Sequence, residues 1–206
     1  MTVATANPRH LSNSNEHFTP DWLLDAVREV LGSIDLDPAS CEEANKRVNA
    51  QMFYDADSCG VGALGLDWDS REVNEAGQLV VKPANVFCNP PGGKVANKSQ
   101  IKLFWNKLIE QVEKGNIRHA LFLAFSVEAL QSTQKKTDKA MLDFPGCMFK
   151  DRVAYVQPGG SIAKSPPHSS SIIYIPGTFD ATDRFFRVFH GKLGKCWKPV
   201  NGHLVR

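Results

Sequence analysis

A chain of 206 residues with 42% hydrophobic and 22% charged residues can bury the core of one α/β domain and is short for two. No apolar run approaches the ~20 residues that span a bilayer. Five cysteines, an odd number with no CxxC pair, argue against a disulfide framework or a zinc knuckle, and six histidines without ligand spacing leave no metal expected. Net charge is +2, yet residues 1–93 carry −8 and residues 94–206 carry +10; the basic half suits either a polyanion-facing surface or solvated helices.

Residues 1–15 read as a flexible polar leader without the apolar stretch of a signal peptide, so a cytoplasmic address is expected. Thr19-Pro20 predicts a helix start, with Thr as cap and Pro in the first helical position. Trp22, Leu23, Ala26, Val27, Val30 and Leu31 then form one apolar stripe, which Gly32 ends. Ser33 to Asp37 predicts a short strand broken at Pro38. Ser40 and Glu43 have capping-box spacing, predicting a second helix to about Val48. Between 51 and 85 only Leu79-Val80-Val81 looks like a strand. Val86-Phe87-Cys88 predicts a buried strand stopped by Asn89-Pro90-Pro91, and Gly92 to Asn97 a flexible loop.

Beyond it, Ile101, Phe104, Trp105, Leu108, Ile109 and Val112 predict a strongly amphipathic helix closed by Gly115. Ile117–Phe125 is an apolar run of strand length, expected centrally in a sheet. A helix near Val127–Gln131 follows, then strands near Met148–Val156 and Ser171–Ile175, joined by the Gly/Pro/Ser-rich segment 157–170. A helix over Asp180–His190 and an edge strand over Gly194–Trp197 complete an α/β pattern with a largely parallel sheet. Gly60-Val61-Gly62-Ala63-Leu64-Gly65 fits G-x-G-x-x-G, but no apolar strand precedes it and no helix follows, so it reads as a turn.

Ligands of open α/β sheets sit at the carboxyl ends of strands. Two such ends carry polar groups stiffened by proline: Asp35-Leu36-Asp37-Pro38-Ala39-Ser40 and Phe87-Cys88-Asn89-Pro90-Pro91-Gly92. The second has a definite chemistry. An exocyclic amine on a nucleobase is a poor nucleophile because its lone pair is delocalised into the ring. An amide oxygen (Asn89) and a backbone carbonyl (Pro90) can accept both N–H bonds, favouring a pyramidal nitrogen and aiming its lone pair. Cys88 alternates with buried strand residues and reads as inert packing.

In order, Phe18-Thr19-Pro20, DLDPAS at 35–40, Gly65-Leu66-Asp67-Trp68, FCNPPG at 87–92, an apolar strand at 119–125, KDRVAY at 150–155 and SPPHSS at 165–170 resemble the phage-type DNA N-6-adenine methyltransferase (Dam) family over roughly residues 15–198. The resemblance implies a Rossmann-like methyltransferase fold over residues 16–206, with a mostly parallel sheet and helices on both faces. It implies AdoMet as methyl donor, DNA as partner, direct in-line transfer to a flipped-out adenine, and a phage or prophage source. Phe18, Thr19 and Pro20 would border the methionine part of AdoMet, Pro38, Ala39 and Ser40 with Asp35 or Asp37 its amino or hydroxyl groups, and Asp67 its adenine. Asn89, Pro90 and Pro91 would hold the amine.

Gly92, Lys94, Arg152, Tyr155 and Lys164 are the expected substrate contacts. Amino-methyltransferases usually carry a base-stacking aromatic after the two prolines. Gly92 stands there, so stacking is expected from elsewhere: Tyr155, Phe104 or Trp105, the last two reading as core on their helix stripe. Cytosine N-4 methylation, or a degenerate DNA-binding relative, are the alternatives.

Overall fold

Pro20, buried and extended, ends the chain's entry and starts helix α1 (Asp21–Leu31), whose inner face buries Leu23, Leu24, Ala26, Val27, Val30 and Leu31. Trp22 departs from the expected stripe: it is 45% exposed and packs edge-on against Phe149. Gly32 stops the helix at φ 85°, a left-handed value that a side chain would resist. The computed structural model describes residues 18–55, 62–134, 139–157, 160–162 and 169–199. The leader at 1–15, Lys164 and most of the 165–170 motif lie outside them.

The elements then follow as β1 (Leu36–Asp37), α2 (Glu42–Val48), β2 (Met52–Phe53), β3 (Asp69–Val73), β4 (Leu79–Cys88), β5 (Lys94–Val95), β6 (Lys98–Ser99), α3 (Gln100–Glu113) and β7 (Ile117–Ala124). After β7 come α4 (Val127–Thr133), β8 (Gly146–Phe149), β9 (Ser171–Pro176), α5 (Thr182–Phe189) and β10 (Gly194–Trp197). The main sheet has the order β10-β8-β9-β7-β4-β1-β2. Strands β2, β1, β4 and β7 form a parallel block, and β9, β8 and β10 add antiparallel pairings on its far side.

Period-two alternation sorts the core into two layers. Phe87, Leu121, Leu123, Ile172 and Tyr174 face α1 and α5. Val86, Cys88, Ala120, Phe122 and Ile173 face α3 and α4. Helices therefore cover both faces of a mixed, mostly parallel sheet, which is the α/β architecture expected, with more antiparallel pairing than the sequence suggested. No helix among the described residues is long and apolar enough to cross a membrane.

Several local expectations change. Cys41 rather than Ser40 caps α2, its sulfur accepting from the Ala44 N–H at 3.4 Å. The two strand fragments at 79–81 and 86–88 are one strand. Its first half pairs with β3, its second with β1 and β7, and the register shifts between Ala84 and Asn85, just after Pro83. Gly92–Asn97 is not a plain loop: β5 and β6 close a hairpin there. Cys147 and Cys196, far apart in sequence, face one another across β8 and β10 as free thiols.

Candidate functional site

Chain order reverses between β1 and β4. From β1 the chain moves through α2 to β2 on one side; from β4 it moves through α3 to β7 on the other. Two neighbouring parallel strands with diverging connections leave a crevice outside their carboxyl ends, where ligands of such sheets bind. Asp37 is the last residue of β1 and Asn89 follows the last residue of β4. The two proline-stiffened ends are therefore neighbours.

Asn89 is held from an unexpected direction. Its Nδ2 donates to the Thr19 Oγ1 at 3.2 Å, across 70 residues of sequence. Thr19 is 3% exposed and makes no cap on α1, so the hydroxyl expected to start the helix instead orients the amide. The bond assigns the nitrogen end of the amide to Thr19, and the oxygen end to the opposite side. Pro90 is buried behind it and Pro91 is exposed. Phe18 joins the same corner through paired backbone bonds with Val156, 2.8 and 2.9 Å, which draws the 150–155 segment to the amino end of α1.

Asp37 is 2% exposed. Its Oδ1 accepts from the Ala39 N–H at 3.1 Å and its carboxyl also bonds the Ser40 side chain. Burial outweighs both and raises its pKa to about 7. No cation among the described residues pairs with it. Cys88 is buried beside it, and burial together with the Asp37 charge pushes the thiol well above its usual range, as inert packing requires.

Other expected ligand contacts are committed elsewhere. The Asp35 carboxylate accepts from Ser33 Oγ at 2.7 Å and from the Asn85 N–H at 2.9 Å, so it ties β1 to β4 behind the crevice. Asp67 bonds Gln111 Nε2 and Lys114 Nζ, each at 3.2 Å, and these contacts hold its pKa below the usual value. Gln111 sits in the last turn of α3, about 17 Å along the helix from Gln100 beside Gly92, and Lys114 caps its end. The Asp67 carbonyl also accepts from the Tyr54 hydroxyl at 2.8 Å, and the Tyr54 N–H donates to the Asp37 carbonyl at 3.0 Å, so one tyrosine spans from Asp67 to the end of β1. Tyr155 is half-buried, its hydroxyl 3.1 Å from Ser170 Oγ, and burial raises its pKa to about 12. Lys94 and Arg152 are exposed. Phe104 and Trp105 are core, with the Trp105 indole donating to the Lys139 carbonyl.

The sequence reading missed Phe125. A Cβ at Gly92 would lie 3.7 Å from its ring. Gly92 does not adopt a left-handed backbone, so conformation does not demand glycine there; a ring delivered from the end of the neighbouring strand β7 occupies the adjoining space. The only sequence signal was that Phe125 ends the β7 run one residue after the strand.

A cleft of about 400 Å³ opens at the opposite edge of the sheet, lined by Ser33, Asp35, Gln51, Asn85 and Arg118 among others. It contains neither Asp37 nor Asn89. The carboxyl edge is the better site on chemical grounds, because α2, α3 and α4 all begin there and turn their amino ends toward it. Among the described residues no group of three potential metal ligands occurs. No protein-family model, curated protein or solved structure matches the chain.

Proposed function

We propose that this protein has a Rossmann-like methyltransferase fold and methylates the N-6 amine of adenine in DNA, using AdoMet. The observation that carries the reading is the pairing at the switch point: a buried carboxylate on β1 beside an oriented Asn-Pro-Pro on β4. The ordered motifs of the sequence supply the choice of adenine. A deaminase or a redox enzyme would leave the rigid amide–proline pair without a task.

The residues present fit a cationic cofactor. Asp37 is a desolvated carboxyl near neutrality whose partners among the described residues are one N–H and one hydroxyl. A ligand bringing ammonium or ribose hydroxyl donors would complete its bonding and favour the charged form. Ser40 and the Pro20 end of α1 border the same corner. When bound, AdoMet supplies an electrophilic methyl on a sulfonium.

The chain's own part is orientation. Asn89 Oδ1 and the Pro90 carbonyl accept the two N–H bonds of the extruded base, with Thr19 fixing the amide. Held so, the amine would present its lone pair to the methyl that AdoMet supplies, while the two acceptors keep its hydrogens off the line of approach. Phe125, partly buried with its ring edge 3.7 Å from where a side chain at Gly92 would begin, is the aromatic we assign to the base in place of a side chain at 92. No covalent enzyme intermediate is needed, which is consistent with an inert Cys88.

Asn89→Ala tests the reading. AdoMet binding, followed by calorimetry, is expected to persist while methyl transfer falls about 100-fold or more, the usual scale for losing a placed polar group at a reacting centre. Undiminished transfer by this variant would exclude the mechanism. Mass analysis of the nucleosides in digested product DNA identifies the base: N-6-methyladenine supports the assignment, N-4-methylcytosine replaces it.

A further inference from the structure

Strands β5 and β6 rise directly from the Asn89-Pro90-Pro91 strand end, and we infer that their hairpin is a finger that enters duplex DNA beside the extruded base. This rests on the DNA-methylating reading above. The hairpin is anchored, not loose. Gln100, at the start of α3, donates its side-chain Nε2 to the Gly92 carbonyl at 2.7 Å and its backbone N–H to the Gly93 carbonyl at 3.1 Å. The two-residue turn Ala96-Asn97 has φ 48° and 62°, the left-handed pair that closes a tight hairpin with the natural strand twist.

Register places the side chains. Val95 lies opposite Lys98, and Lys94 opposite Ser99. Directly opposed residues share a face, so Val95 and Lys98 project to one side and Lys94 to the other. Lys94, Val95 and Lys98 are exposed, Val95 to 52%. From Asn89 to Ile109 the chain has four lysines and no acidic residue. Lys94, Lys98 and Lys102 make no ion pair with a described residue.

A thin two-stranded finger with one lysine on each face matches a duplex groove, whose two walls are rows of phosphates. Val95 shares the Lys98 face but lies next to the turn, where an exposed apolar side chain at the tip of the finger can reach past the phosphate wall to the step that the extruded base has left. A single strand offers only one phosphate row and no stack to prop, so duplex is the partner the geometry favours.

The test uses the full chain and its Lys94→Ala/Lys98→Ala and Val95→Ala variants, on mixed-sequence DNA over a range of salt. AdoMet binding serves as the control for folding. The double lysine variant is expected to lose about two from the slope of log affinity against log salt, near 0.9 per phosphate contact. Val95→Ala is expected to keep that slope, yet to methylate duplex several-fold more slowly while methylating single-stranded DNA at the parent rate. An unchanged slope in the lysine variant, with the parent binding DNA normally, overturns the finger and leaves the DNA reading standing. Equal effects of Val95→Ala on both substrates overturn the wedge. A parent chain with no salt-dependent DNA affinity overturns the DNA reading itself, and the finger with it.

Discussion

The Asn89 amide could spin freely at a strand end; a 3.2 Å bond to a nearly buried threonine prevents it. One neutral hydrogen bond is worth only about 1 kcal/mol, but it sets which end of the amide accepts and which donates. Phe125 poses the sharper residue-scale question, because its ring adjoins a glycine whose backbone tolerates a side chain. Phe125→Ala is expected to reduce methyl transfer by about 10- to 100-fold, since one base–aromatic stack is worth ~1–3 kcal/mol, with AdoMet binding retained. Gly92→Phe in that background returns a ring from the other side of the gap and is expected to recover most of the rate. A purely structural Phe125 would give the first result without the second, so failed rescue in a folded double variant counts against stacking. Asn89 and Asp37 were legible in sequence as polar strand ends beside prolines. Thr19 was legible as a helix start and, through the resemblance, as a cofactor neighbour; its bond to Asn89 and the position of Phe125 were not, because they arise from contacts between segments that periodicity does not relate.

Elements with one clear apolar stripe or a continuous apolar run, α3 and β7, lie within a residue of where the sequence puts them. Elements made by pairing alone were hidden. Strand β3 is Asp-Ser-Arg-Glu-Val, mostly exposed, and exists because it pairs with the first half of β4. The β5–β6 hairpin turns on Ala-Asn without glycine, and so gave no turn signal. Edge strand β10 was foreseen, but not what seats it: a Cβ at Gly146 would come 2.2 Å from the Trp197 ring, so β8 accepts that indole only by having no side chain there. Gly146→Ala is therefore expected to push Trp197 out, destabilising the fold by about 1–3 kcal/mol. Tryptophan emission should shift red while AdoMet affinity is preserved, because Asp37 and Asn89 lie on the far side of β7 and β9. An unchanged melting temperature and spectrum would show that β10 yields without cost.

Across the whole molecule, two buried titratable groups oppose each other in pH. Asp37, raised to about 7 by burial, keeps its proton in the folded chain between roughly pH 4 and 7 while the unfolded chain has shed it. Its contribution to stability is full below about 4 and is lost as pH rises through about 7. His119 is 1% exposed, set between Tyr174 Oη and the Leu31 carbonyl at 3.3 Å each, and burial lowers its pKa to about 4. Its sign is reversed: the unfolded chain takes up a proton first, so stability is full above about 6.5 and is lost as pH falls toward about 4. At ~1.4 kcal/mol per unit the two are of similar size, a few kcal/mol at most. The lowered carboxylates Asp67 and Glu110 are exposed, and solvent screening keeps their effect small. The parent chain should accordingly show a nearly flat melting temperature between about pH 4 and 6.5. Asp37→Asn removes the falling contribution, so its melting temperature should climb as pH rises over that range. His119→Gln leaves the falling one, and should show the opposite slope. Thermal melts at constant ionic strength measure both. Parallel slopes in the two variants would mean that neither group titrates as its burial implies, and the case for Asp37 as a carboxylate waiting for a cationic ligand would go with it.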